Sequence, residues 1–184
     1  MFSSVLALAL LPLVWGAADP TKVCLPDVFQ VLEYNIETGE RVQIAVDFKQ
    51  NLLTSVSPNV TIVDDYEKLR TYTIDATGNC QYVSLSPEEV YPQCLPATST
   101  YVGELFIGSG PSRVPAEAWD IPFKGVTMRV AYSNQPGEPR YPFMARLVDD
   151  QGLAHSSLYF DQSQNITVPN PFKIPDPCPP ATVG

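Results

Sequence analysis

Residues 41–49, RVQIAVDFK, place Val42, Ile44, Val46 and Phe48 at every second position, with Arg41, Gln43, Asp47 and Lys49 among the residues between them. A period of two sends the two sets to opposite faces of an extended chain, so this stretch predicts a half-buried β-strand whose apolar face must meet another apolar layer. The alternation returns at residues 126–133, VTMRVAYS, where Val126, Met128, Val130 and Tyr132 oppose Thr127, Arg129 and Ser133. Weaker versions at 29–34, 60–63, 69–74, 82–85, 101–107, 143–148 and 153–160 predict further strands.

Between these runs stand turn signals at short intervals: Glu37-Thr38-Gly39-Glu40, Ala76-Thr77-Gly78-Asn79, Gly108-Ser109-Gly110-Pro111, Gln135-Pro136-Gly137 and Asp149-Asp150-Gln151-Gly152. Short strands punctuated in this way, without long helical periodicity, point to an all-β antiparallel sandwich or barrel. Only SPEEVYPQ, from Ser86, suggests a helical turn, with Ser86 as cap and Pro87 at the first position. Neither an internal repeat nor a linker divides residues 19–184, so they read as one domain.

The first eighteen residues, MFSSVLALALLPLVWGAA, are uncharged and end in small residues. They read as a secretory signal peptide with Asp19 as the first mature residue, the apolar run being too short and too broken by Pro12 to span a bilayer. No second apolar span follows, so a secreted, extracellular chain is expected. Its 20 acidic against 11 basic residues, a net charge of -9, oppose nucleic acid and anionic membrane surfaces, and suit calcium or a basic partner. Asn59-Val60-Thr61 and Asn165-Ile166-Thr167 are glycosylation sequons, which predicts both at the surface.

In an oxidising compartment the 4 cysteines form a disulfide framework, for which three pairings exist. Zinc is disfavoured, because no C-x-x-C pair occurs and His155 is the single histidine. The tail VPNPFKIPDPC cannot donate to a central ladder at its prolines and would fray without a staple. Bonding Cys178 to Cys80 would close a loop of about 100 residues, worth about 4.7 kcal/mol in the chain-entropy model. Cys24 would then remain for Cys94.

Three blocks in order resemble the ependymin family of secreted glycoproteins: YTIDATGNC at 72–80, PATSTYVGELFIGSGPSRVPAEAW at 96–119 and NPFKIPDPC at 170–178. The resemblance spans nearly the whole mature chain. It implies two stacked, curved antiparallel sheets enclosing an apolar inter-sheet pocket, similar to bacterial lipoprotein carriers, and it implies the Cys80–Cys178 pairing. It also implies calcium binding, association with extracellular or calcified matrix, cell-matrix adhesion and a homodimer. The chain departs from the family at CLPDVFQV, where Phe29 stands near a customary Trp and no Gly follows, and at KGVTMRVAYS, which lacks a cysteine carried by vertebrate relatives.

Within that frame, Val42, Ile44, Val46, Phe48, Val126, Met128, Val130 and Tyr132 are the expected lining of a pocket for a lipid or fatty acid. Met128 suits variable ligands because its thioether is flexible. For calcium, which takes six to eight oxygens, Asp75 and Asn79, with Thr77 between them, and Asp149 with Asp150 offer ligands; a hairpin turn explains Asp75, Gly78 and Asn79 equally. A hydrolase would have to rely on His155 as its base, yet the serines beside it form no nucleophile elbow. The expectation is therefore a non-catalytic binding protein, with a calcium-binding matrix or adhesion protein as the alternative and a His155 hydrolase as a weak third.

Overall fold

The computed structural model describes residues 19–123, 125–149 and 151–181; the expected signal peptide, and Asp150, lie outside them. Eleven antiparallel strands form one sheet: β1 (Val28–Asn35), β2 (Arg41–Asp47), β3 (Leu52–Val56), β4 (Val60–Asp65), β5 (Arg70–Asp75), β6 (Cys80–Ser84), β7 (Thr100–Ile107), β8 (Val114–Phe123), β9 (Val126–Ser133), β10 (Pro142–Val148) and β11 (Ala154–Ser163). Their order across the sheet is β6-β5-β4-β3-β2-β1-β11-β10-β9-β8-β7. Two meanders of consecutive hairpins thus meet where β1 pairs with β11. Among the described residues the only helices are three 3-10 turns, of which Pro87–Glu89 occupies the segment with the helical signal; there the Glu89 carboxylate accepts the Ser86 backbone N–H at 2.9 Å.

Register shows which residues share a face. On β1 and β2, Phe29 stands opposite Val46 and Val31 opposite Ile44; on β8 and β9, Trp119 stands opposite Val130 and Ile121 opposite Met128. Strands β2 and β9 are four places apart in the sheet, about 19 Å if it were flat. Nevertheless Phe29, Val31 and Val46 share one buried cluster with Trp119, Ile121, Val130 and Tyr132. The sheet therefore curves around its own inner face, as two half-buried apolar layers require.

The open side of that curve receives two loop segments. Leu25 N–H donates to the Gln93 carbonyl and Leu95 N–H to the Val23 carbonyl, at 2.9 and 3.0 Å, and Cys24 is bonded to Cys94 between them. This cross-linked pair carries Val23, Leu25 and Leu95 into the core.

The outer face of β1–β6 is closed differently. Gln30, Ala45, Thr54, Val63, Tyr72 and Tyr82 form a row across the strands, and Ala45, Thr54 and Val63 are fully buried. Over them runs a strap, residues 164–181. Thr167 N–H donates to Gln30 Oε1 at 2.6 Å, Thr54 Oγ1 donates to the Pro171 carbonyl at 2.8 Å, and Cys178 is bonded to Cys80. At the edge, Tyr82 N–H donates to the Pro179 carbonyl and Ala181 N–H to the Tyr82 carbonyl. The prolines thus cross a sheet face, where no ladder donors are asked of them, and reach backbone pairing only at the edge strand.

Candidate functional site

A cavity of about 110 Å³ lies on the inner face. Val31 of β1, Ile44 and Val46 of β2, Leu53 of β3, Met128 and Val130 of β9 and Tyr159 of β11 supply its walls, and Leu25 and Tyr91 close it from the loops. Of the eight residues expected in a pocket, the structure brings Ile44, Val46, Met128 and Val130 together here. Phe48 and Tyr132 pack against the same core, whereas Val42 and Val126 are not among the lining residues. Sequence reading missed Tyr91, which sits in a loop, and Tyr159, whose run of weak alternation gave no indication of what it faces.

The polar atoms of the site are phenolic. Burial pushes the Tyr91, Tyr132 and Tyr159 hydroxyls above the usual tyrosine range; the Tyr91 and Tyr132 hydroxyls bond each other, and the Glu33 charge adds to the effect at Tyr159 and Tyr91. All three hydroxyls stay neutral at physiological pH. Tyr91 and Tyr159 stand among the apolar walls of this cavity, and Tyr132 lines the smaller pocket beside it.

A wider groove of about 540 Å³ lies on the outer face, floored by Ala131 and walled by Leu105, Ile107, Phe143, Met144 and Phe160. It is open to solvent, and no set of buried hydroxyls converges on it. The narrower inner cavity, with both Tyr91 and Tyr159 on its walls, is the better candidate for a specific site.

At the two calcium candidates, Asp75 and Asp149 are engaged by their own loops. Asp75 Oδ1 accepts the Thr77 and Asn79 N–H groups at 2.8 and 2.9 Å and the Thr77 hydroxyl at 2.7 Å, while Oδ2 accepts from the Asn79 amide at 2.8 Å. These bonds hold the Asp75 carboxyl at about 2. Gly78, at φ +88°, supplies the left-handed step that the turn needs. Asp149 similarly accepts the Gln151 and Leu153 N–H groups, and His155 Nε2 stands 3.5 Å from its Oδ2. Among the described residues no group of three or more His, Cys, Asp or Glu side chains is arranged to hold a metal ion.

The sequon residues Asn59 and Asn165 are both exposed, Asn59 between β3 and β4 and Asn165 at the start of the strap. One buried ion pair lies away from the cavity: Arg140 bonds the Glu117 carboxylate of β8, and its Nη2 donates to Asn134 at 3.1 Å.

No family model and no curated protein matches the chain. Among solved structures it is similar to an uncharacterized conserved protein from Thermus thermophilus, with a TM-score of 0.56 and 12% identity over 84% of this chain and 89% of that one. At that identity the likeness is one of fold. No helix among the described residues is long and apolar enough to cross a membrane.

Proposed function

We propose that this chain is a secreted, N-glycosylated, disulfide-linked binding protein of the ependymin-related type, which holds an apolar ligand and catalyses no reaction. In this reading the two halves of the curved sheet act as two stacked layers, and the ligand lies between them.

The observation that carries the reading is the inner cavity, apolar on the β1–β3 side and the β9–β11 side alike, with neutral tyrosine hydroxyls as its polar atoms. A fully packed core would leave no void of this size, since interiors close to crystal density. At about 110 Å³ the void is short of the ~300 Å³ at which ligand pockets begin, so a chain end or small ring fits as it stands and a longer ligand must displace Met128. That unbranched side chain borders both this cavity and a smaller one of about 10 Å³ walled by Val23, Leu95, Ile121 and Tyr132.

Native mass spectrometry of the glycan-trimmed protein secreted from animal cells, followed by organic extraction, tests the reading. A retained mass that matches an extractable lipid is expected. A bare mass that stays unchanged after incubation with alkyl amphiphiles would overturn it in favour of a calcium-binding matrix or adhesion role.

A further inference from the structure

The inner face of β1 continues Phe29, Val31, Glu33, so a carboxylate follows the last cavity-lining residue by one step of roughly 7 Å. In register Glu33 stands opposite Tyr159 of β11 on one side and Val42 of β2 on the other. Ser157, itself buried, donates its hydroxyl to Glu33 Oε1 at 2.5 Å. The Ser157 hydroxyl also meets the hydroxyl of Tyr159. Ser157 thus stands between the Tyr159 hydroxyl and the Glu33 carboxylate.

Among the described residues that anion has no cation. The ion pairs there join Lys22 to Asp19, Lys49 to Asp27, Lys68 to Asp65, Arg129 to Asp120, Arg140 to Glu117 and His155 to Asp149, and none involves Glu33. Among the described residues the one hydrogen bond to this carboxylate is that from the Ser157 hydroxyl to Oε1, and no positive charge is paired with it. A fatty-acid head placed there would add a second negative charge against the first, whereas an ammonium would bring both charge and three donors.

We propose that Glu33 receives the head group of the cavity's ligand and that this ligand is a long-chain primary amine, its ammonium on the Glu33 carboxylate and the Tyr159 ring, its tail against Val31, Ile44, Met128 and Val130. The assignment rests on the apolar-ligand reading above and narrows it from lipids in general to a cationic amphiphile.

The test displaces a neutral solvatochromic dye, Nile red, from the full secreted protein with decylamine, decanol and decanoate, each below its micellar concentration. A charge-assisted pair predicts decylamine displacing at about tenfold lower concentration than decanoate, with decanol between them. Glu33→Gln should bring amine and acid to within about threefold, while Glu67→Gln, at an exposed carboxylate, should keep the preference and so remove the overall negative charge as its source. Should Glu33→Gln not be secreted, Tyr159→Phe reports on the same site and should cut the preference by about threefold. Equal displacement by amine and acid, or a preference left undiminished by Glu33→Gln or by Tyr159→Phe, overturns the amine assignment and leaves the apolar-ligand reading standing. If neither the dye nor any of the three compounds binds, both fall.

Discussion

Replacing Cys80 and Cys178 together with serine tests how much of the fold the strap holds. The disulfide spans 98 residues, and a loop of that length is worth about 4.7 kcal/mol in the chain-entropy model, with measured losses for native disulfides of about 2–5 kcal/mol. The strap keeps other attachments, at Gln30, Thr54 and Tyr82, each worth about 0.5–1.5 kcal/mol net. These hold part of it in place, so we expect a loss of about 3–5 kcal/mol, or roughly 6–20 °C in Tm for a chain of this size. The assay is urea unfolding of the double variant against the parent, with Cys24–Cys94 intact in both, followed by the fluorescence of buried Trp119. A more expanded unfolded chain should also raise the m-value. Amide exchange should accelerate at Tyr82, whose N–H bonds the Pro179 carbonyl. A loss below about 1 kcal/mol, with Tyr82 still protected, would refute the argument that the staple and not the polar contacts fixes the strap.

Three further outcomes follow from the same structure. Ala145→Leu fills the inner cavity from β10: ligand retention by native mass spectrometry should disappear while Tm stays level or rises, and a retained ligand would place binding elsewhere. Arg140→Met strands the buried Glu117 carboxylate and should cost about 3–5 kcal/mol by urea titration, most of it recovered in Glu117→Leu/Arg140→Met, where no charge is left buried. The Asp75 carboxyl is held at about 2 in the folded chain, first by its bond from Thr77 and then by those from Asn79, below the ~3.9 of an unfolded aspartate. Its contribution is therefore complete above about pH 4 and is lost as pH falls toward 2; Asp75→Asn should flatten stability against pH in that window, and an unchanged acid limb would show that the turn is not its source.

Most strands were legible because their inner and outer residues alternate, and β9 begins and ends where its alternation does. Two were not. In β3, LLTSV, adjacent leucines and then Thr54 and Ser55 break the period; Thr54 is nevertheless fully buried, because its hydroxyl reaches the Pro171 carbonyl 117 residues away. Strand β8, VPAEAWDIPF, carries Pro115 and Pro122, which argue against an interior strand, yet β8 pairs on both sides with its prolines near its two ends. The site was legible in part for a related reason. Period two shows that Ile44, Val46, Met128 and Val130 face inward, but only the curvature of the sheet brings them to one cavity, and only the loop pair at Cys24–Cys94 sets Leu25 over it. Glu33 was visible as a charge on an otherwise apolar face, Phe29-Val31-Glu33. Its meaning depended on Tyr159 and Ser157 arriving from the far end of the chain.

The two faces of the first half of the sheet are closed by different material, and this separates stability from the proposed binding. Inside, β1, β2 and β3 meet the opposing strands β8 to β11 across side chains and leave a void. Outside, the same strands meet a strap whose prolines have no N–H to bury unpaired, so an extended chain can cover a sheet face without a helix or a second ladder. Ala45, Thr54 and Val63 owe their burial to that cover, while their neighbours Ile44, Val46 and Leu53 point the other way, into the cavity. Loosening the strap therefore uncovers the outer row and lowers stability while the cavity keeps its walls; filling the cavity removes the site and leaves the strap untouched. Because successive residues of a strand face opposite ways, one short segment such as Ile44-Ala45-Val46 borders both the strap and the cavity, and substitutions one position apart in it should affect stability and the proposed binding separately.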